Sequence, residues 1–292
     1  MAESLINTKR RISTIKSTEK ITKAMKLVAS VKYQRWKKYY EDNKPYTACL
    51  SSDLKYLLSF FDGEEVFETP YFKRYDAKKT LYVVMTSTLG LCGAYNYTLF
   101  KTLDPLIKEG DELISIGEKA LIHYKGKGIV LNEDFEDLMD NYAYSKVRRL
   151  RHLLLQKYRT GEYGSVVLVY THYKNSMTFV PTLETLAPLS LISLRGENEA
   201  FSFEPIYEAS KEEVLNSLVP HYIDSVIYNR LIESELSELA SRRNAMEAAT
   251  DAADKIVHQL TIQYNKSRQN AITQEITEVV AGATAGKKQE NE

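Results

Sequence analysis

Between Pro220 and Gly282 the chain runs for sixty-one residues without a proline or a glycine. The stretch is rich in Ala, Leu, Glu, Gln, Lys and Arg, which lose little conformational freedom on entering a helix, so nothing in it stops one from running end to end. At 1.5 Å per residue such a helix is ~90 Å long. A compact globule of 292 residues has a radius of gyration of only ~19 Å and a diameter of roughly 50 Å. The helix therefore has to be covered by another part of the chain or by another protein.

Residues 1–44 also lack Gly and Pro, and Pro45 is followed by a second clean run to Gly63, which predicts a first helix of forty to sixty residues. Its apolar positions Leu5, Ile12, Ile15, Ile21, Met25, Val28 and Val31 recur at threes, fours and sevens, the narrow stripe of a coiled-coil seam. The late stretch carries the matching pattern: Leu239, Met246, Ala253 and Leu260 fall seven apart, with Ala249 and Ile256 as the second seam position and a run of alanines that lets a partner approach closely. Charge agrees with pairing. Residues 1–40 hold eleven Lys and Arg against two Asp and Glu, whereas 211–281 hold seven against eleven. Three readings of the basic first helix stand at this point: a solvated face, a nucleic-acid stripe, or a surface for an acidic protein partner.

Between the helices the periodicity changes. Leu81–Thr86, Glu112–Ile116, Ile129–Leu131 and Ser165–His172 read as strands, with Thr178–Val180 as a partner for the last. Tyr95–Glu109, Glu118–Lys125 and Asn141–Arg159 read as helices. Alternation at this spacing predicts a mostly parallel, doubly wound, Rossmann-like α/β domain over 78–195, inserted between the two arms of an antiparallel coiled coil. The expected divisions are an N-terminal coiled-coil helix at 1–60, the α/β domain, a C-terminal coiled-coil helix at 208–284 and a flexible tail at 285–292. Arg195–Glu204 reads as a polar connector, Ser210 with Glu213 as a capping box, and Pro220 as a restart or kink.

The one glycine-rich turn, Ser87-Thr-Leu-Gly90-Leu-Cys92-Gly93-Ala-Tyr-Asn96, follows the first strand, where such folds bind phosphates. Its spacing is not G-x-G-x-x-G and no Lys-Ser/Thr follows, so a structural turn and a phosphate site both stand, the former favoured. The five histidines form no metal-binding pair, there is no nucleophile elbow, and Cys92 reads as a small apolar residue. No cofactor or metal is expected, and no enzyme. Two cysteines supply no disulfide framework, no run reaches the eighteen apolar residues of a membrane span, and the start of the chain has no apolar signal core, so the cytosolic side of a membrane is expected.

Three stretches carry a resemblance. Ile12-Ser-Thr-Ile-Lys-Ser-Thr-Glu-Lys-Ile-Thr-Lys-Ala-Met25 resembles the N-terminal helix of the gamma subunit of F-type rotary ATP synthases. Ala240-Ser-Arg242-Arg-Asn-Ala-Met246-Glu-Ala-Ala-Thr-Asp and the stretch from Tyr264 through Arg268-Gln269 to Gly282 are similar to that family's C-terminal signature, and Gly90-Leu-Cys-Gly93 with Asn96 to its central turn. Thr88 and Leu89 stand where the family has Asp-Arg. The resemblance implies a non-catalytic central shaft whose partners are a hexamer of three alpha and three beta subunits, the epsilon subunit and a membrane ring of c subunits, with no nucleic acid, on the cytoplasmic face of a bacterial cell membrane. It implies beta-subunit contacts at Met25, Arg242, Arg268 and Gln269, rotor-ring contacts at Tyr207 and Glu208, and a tip at 272–281 seated in an apolar sleeve.

Overall fold

The computed structural model describes residues 2–61, 69–139, 143–190, 203, 205–208 and 210–289. Two long helices frame the chain: α1, Ala2–Leu58, and α5, Lys211–Gln289. Between them lie β1 (Lys79–Met85), α2 (Tyr95–Leu103), β2 (Glu112–Ile116), α3 (Glu118–Tyr124), β3 (Val130–Asn132), a single 3₁₀ turn at Glu136–Met139, α4 (Tyr144–Arg159), β4 (Tyr163–Tyr173) and β5 (Phe179–Ala187).

The chain divides into two compact units. One is 29–242, holding the sheet, the later part of α1 and the earlier part of α5; the other is 1–28 with 243–292.

In the first unit the sheet order is β3-β2-β1-β4-β5. β1 pairs in parallel with both β2 and β4, β2 with β3 likewise, and β5 closes the edge antiparallel to β4. The chain winds outward from β1 through β2 and β3, then crosses back to β4 on β1's other side, which makes the C-terminal end of β1 the topological switch point. Alternation along the strands sorts the two faces. Tyr82, Val84, Leu113, Val167 and Val169 pack with Leu99, Phe100 and Leu103 of α2 and Ala120 and Tyr124 of α3. Leu81, Val83, Met85, Ile114, Val166 and Leu168 face α4 and also the long helices, through Leu54 and Leu58 of α1 and Leu215, Ile223, Ile227 and Leu231 of α5. The long helices thus supply, with α4, the cover of one sheet face. Here α1 and α5 run antiparallel: Tyr33 clusters with Leu236, Leu239 and Ala240, while Thr47 bonds Ser225 at 2.5 Å and Asn229.

Gly117 shows why one glycine is obligatory. With φ +84° it joins β2 to α3, and a Cβ there would lie 2.1 Å from the Thr86 carbonyl oxygen. The Thr86 hydroxyl crosses the same junction, donating to the Ile116 carbonyl at 3.1 Å and accepting from the Ala120 amide at 2.9 Å.

In the second unit the helices pair through Thr22 and Thr250, whose hydroxyls are 2.7 Å apart, and through Lys26 and Glu247 at 2.7 Å.

Several expectations shift. The helix expected over 95–109 ends at Leu103: Asp104 still has helical geometry as the C-cap, but Pro105 after it has no amide hydrogen to continue the ladder. α4 starts at Tyr144; Asn141, where it was expected to start, lies outside the described residues. The last strand is 179–187, not 178–180, with Pro181 tolerated on an edge. Ser210 does cap, its hydroxyl oxygen accepting from the Glu213 amide at 3.2 Å, but no restart follows, since α5 runs unbroken through Pro220 and on past Gly282. The seam expected on α1 is partly turned: Ile21, Val28 and Val31 are exposed, whereas Thr22, Ala29 and Tyr33 are buried. On α5 the sevens hold, with Leu239, Met246, Ala253 and Leu260 all buried, although Ile256 is exposed. All of the 195–204 connector but Phe203 lies outside the described residues, as do 62–68 and 290–292.

Candidate functional site: the seat of the C-terminal helix on the sheet

The glycine-rich turn leaves the switch point tightly bound by its own side chains. The Ser87 amide donates to Asn96 Oδ1 at 3.1 Å, and Asn96 Nδ2 donates to Ser87 Oγ at 2.7 Å and reaches Cys92 Sγ at 3.3 Å. Cys92 is buried, and that burial pushes its thiol above the ordinary value, against a smaller downward pull from Ser87. The group stays a neutral thiol, unsuited to nucleophilic work. Leu91, between Gly90 and Cys92, has φ +62°, a left-handed conformation that costs a bulky side chain energy.

What fills the crevice is α5. Small and polar residues spaced along one helical face meet the C-terminal ends of β1 and β4. Tyr95 from the turn places its hydroxyl 2.6 Å from Ser234 Oγ; Ser237 Oγ donates to the Thr171 carbonyl at 3.1 Å; Ser241 Oγ donates to the Cys92 carbonyl at 2.7 Å. Arg242 donates through one terminal nitrogen to the carbonyls of Leu89 at 3.1 Å and Gly90 at 3.2 Å, and through the other it pairs with Glu238 one helical turn back. Ser234 and Ser237 are fully buried, which serine's small size permits. The turn therefore offers carbonyl oxygens to donors on α5. A phosphate loop does the reverse, pointing N–H groups at an anion. Of the two readings of the turn, the structural one fits this polarity.

A second cluster lies one helical turn earlier. Glu233, with a side chain only 1% exposed, accepts from Arg230 at 3.0 Å, from the Tyr173 amide at 3.2 Å, and faces His172 Nδ1 at 2.5 Å. Arg230 also forks onto Glu184 of β5 at 2.6 and 3.1 Å and lies over the Tyr170 ring. Burial alone pulls the Arg230 guanidinium down, yet Glu184, Tyr170 and Glu233 together hold it above its ordinary value. Asp224, buried on α5, is held by Arg151 of α4 at 2.7 Å. Every buried acid described here on α5 thus has a basic partner, as the cost of an unpaired buried charge demands.

The residues singled out from the sequence fall in distinct settings. Met25 is half-buried on α1, one turn from Thr22 and beside Lys26. Arg242 has a side chain 12% exposed and is committed to its own chain. Arg268 and Gln269 are exposed side by side on α5. Tyr207 packs against the core of the first unit under the Lys211 ammonium, and Glu208 is exposed. Sequence reasoning missed Ser234, Ser237, Glu238 and Ser241. Their signal was a row of small or hydrogen-bonding residues at threes and fours on one helical face, which hydropathy discards. Among the described residues no group of His, Cys, Asp and Glu is arranged to hold a metal, and no helix is long and apolar enough to cross a membrane.

Comparison with known proteins bears on the whole chain. Residues 4–285 match the family described as ATP synthase. The ATP synthase gamma chain of Mesoplasma florum is 37% identical over 284 residues, covering 96% of this chain and 98% of its own. That of Streptococcus pneumoniae is 33% identical over 291 residues, covering 98% and 99%. Among solved structures, the rotor of the Euglena gracilis mitochondrial ATP synthase superposes with a TM-score of 0.64 at 20% identity, over 93% of this chain and 100% of that one, a likeness of fold. The central stalk and c-ring structure of the Tetrahymena thermophila enzyme gives 0.55 at 25% identity over 78% of this chain and 99% of its counterpart. With matches of this identity running nearly end to end, the chain belongs to the gamma-chain family of ATP synthases, the non-catalytic central stalk that transmits rotary motion.

Proposed function

We propose that this stalk turns within a hexamer of three alpha and three beta subunits, with its α/β domain resting on a ring of c subunits beside epsilon, at the cytoplasmic face of a bacterial cell membrane. Ion flow through the ring turns the shaft. An asymmetric shaft meets each beta subunit differently, so the three catalytic sites are held in different states, and rotation exchanges them. In this reading the parts are the shaft segments 1–60 and 208–284, the α/β domain 78–195 and the tail 285–292. Met25, Arg242, Arg268 and Gln269 serve the beta-subunit face and Tyr207 and Glu208 the ring. The guanidinium of Arg242, bonded within its own chain, serves that face through the turn it holds.

One observation carries the proposal. Large apolar side chains stand in solvent along both helices: Ile21 is 60% exposed, Val28 57% and Val31 65% on α1, and Ile272, Ile276 and Val279 are 47, 58 and 71% exposed near the end of α5. Apolar surface of that extent marks a site that a partner covers. The experiment is co-expression with alpha and beta subunits. A complex holding one copy of this chain per three of each, whose ATPase activity requires it and whose hydrolysis pumps ions in membranes, is the expected result. Failure to assemble would refute the reading. Assembly and hydrolysis without pumping would instead identify a rotary ATPase uncoupled from a standard ring.

A further inference from the structure

The carbonyls on both sides of Leu91 are held by consecutive residues of one helix. Arg242 takes Leu89 and Gly90, and Ser241 takes Cys92. The residue between them has φ +62° and a side chain pushed outward, 62% exposed. A non-glycine residue stays in that region only where its surroundings over-determine it. On the far side of the turn, Asn96 fixes Ser87 by two hydrogen bonds. The turn is thus gripped at both ends, one of them by α5.

We propose that Arg242, oriented by Glu238 and assisted by Ser241, is a positioning residue that clamps the turn after β1 to α5, so that twist in the helix passes directly into the C-terminal edge of the sheet. The inference rests on the central-stalk reading above. Three features give the clamp its directionality. The guanidinium is planar and forked, so it serves two carbonyls and one carboxylate at once, which a lysine ammonium on a flexible stem does not reproduce. Its side chain and that of Glu238 are 12% and 6% exposed, so the pair is weakly screened. Ser234 and Ser237 continue the same row of contacts to Tyr95 and Thr171, and the grip therefore spans β1 and β4. A purely apolar contact lets a helix turn about its own axis, whereas directional bonds to fixed carbonyls resist that rotation.

The test uses the assembled complex with wild-type chain, Arg242→Ala, Arg242→Lys and Ser241→Ala. Two quantities are read: hydrogen exchange of the amides in residues 88–93, and ions pumped per ATP hydrolysed. Loss of the charge-assisted hydrogen bonds to the Leu89 and Gly90 carbonyls is expected to speed exchange in the turn about tenfold in Arg242→Ala. Ions pumped per ATP hydrolysed should fall in the same variant whatever its hydrolysis rate, and Arg242→Lys should lie between Arg242→Ala and the wild-type chain. Should Arg242→Ala fail to fold, Arg242→Lys and Ser241→Ala decide the matter by the same readouts. Unchanged exchange overturns the clamp; faster exchange with unchanged pumping per ATP overturns its part in transmission. If the wild-type chain itself does not assemble, the central-stalk reading is what fails, and exchange in the isolated chain still judges the clamp.

Discussion

Helix α5 is held in two very different ways along its length. From Ile223 to Ser241 nearly every residue is buried, and the helix is tied by charged and hydroxyl side chains to the sheet and to α4. From Glu247 onward only Thr250, Ala253 and Leu260 are buried among the residues whose side chains are described, and the polar contacts to α1 include one pair of threonines and two surface ion pairs, Lys23 with Asp254 and Lys26 with Glu247. The first region is built as an interior, where each polar group must find a partner inside the chain. The second is built as a thin pair of helices whose remaining surface is left for others. The contrast teaches where the chain's own stability resides: mostly in the first region, since the second buries few of its described side chains by itself.

The strongest way to break the comparison is to unpair a buried charge in the first region. Asp224→Ala leaves Arg151 without its carboxylate in the wall between α4 and α5. Breaking such a pair costs about 3–5 kcal/mol, to be read as a lowered midpoint in chemical denaturation of the isolated chain. A loss below about 1 kcal/mol would put the pair in the class of solvated surface bridges and would weaken the claim that this region is an interior.

A matched substitution sharpens the contrast. Leu239 and Leu260 occupy the same phase of the heptad, at 2% and 8% exposure. Leu239 is closed in by Tyr33, Leu236 and Ala240, with Trp36 and Tyr40 against that cluster. Leu239→Ala should therefore cost about 3–4 kcal/mol, and Leu260→Ala, whose surroundings collapse more freely, about 2 kcal/mol or less. Fluorescence of Trp36, the only tryptophan in the chain, should follow unfolding of the first region and be blind to fraying in the second. Equal losses in the two variants would erase the distinction.

The threonine pair gives a smaller and more specific effect. Thr22→Val or Thr250→Val alone leaves one buried hydroxyl partly bonded and should cost about 1 kcal/mol, while the double variant, which replaces both polar groups by isosteres, should be nearly neutral. A double-mutant cycle measured by thermal unfolding checks this. Additive losses would mean that the hydroxyls do not act as a pair.

The same contrast explains what was legible in the sequence. Alternating strands and helices gave the α/β domain because its elements bury apolar side chains on themselves, and β1, β2 and the α5 heptad at Leu239, Met246, Ala253 and Leu260 were readable from hydropathy. The α1 stripe was readable only in part. Ile21, Val28 and Val31 are apolar and exposed, whereas Thr22 is polar and buried against Thr250. In the proposed assembly, hydropathy would mark what other subunits cover, which differs from what the chain covers by itself. β5 was cut short because Pro181, Thr182 and Glu184 break its pattern, yet an edge strand tolerates all three. The seat on the sheet was illegible because its bonds join side chains to backbone carbonyls distant in sequence. No periodicity records which carbonyl a serine will find.

The smallest effect concerns pH. Lys26 Nζ lies 2.7 Å from Glu247 in the thin helix pair. The hydrogen bond from Lys26, and then its charge, hold the Glu247 carboxyl below the ordinary value of 4.5. A carboxylate whose folded-state pKa is depressed contributes stability that is fully present above the unfolded value and is lost as pH falls through the folded one. The pair is solvent-exposed, so its contribution is modest and is screened further by salt. Acidification from pH 6 to below the ordinary carboxylate value of 4.5 should therefore loosen the 1–28 and 243–292 unit slightly, seen as faster hydrogen exchange around Thr22 and Thr250. Glu247→Gln should remove that increment and flatten the response. A loosening in acid that persists undiminished in Glu247→Gln, or that is insensitive to salt, would assign it to other carboxylates and leave the outer pair held by packing and its threonines alone.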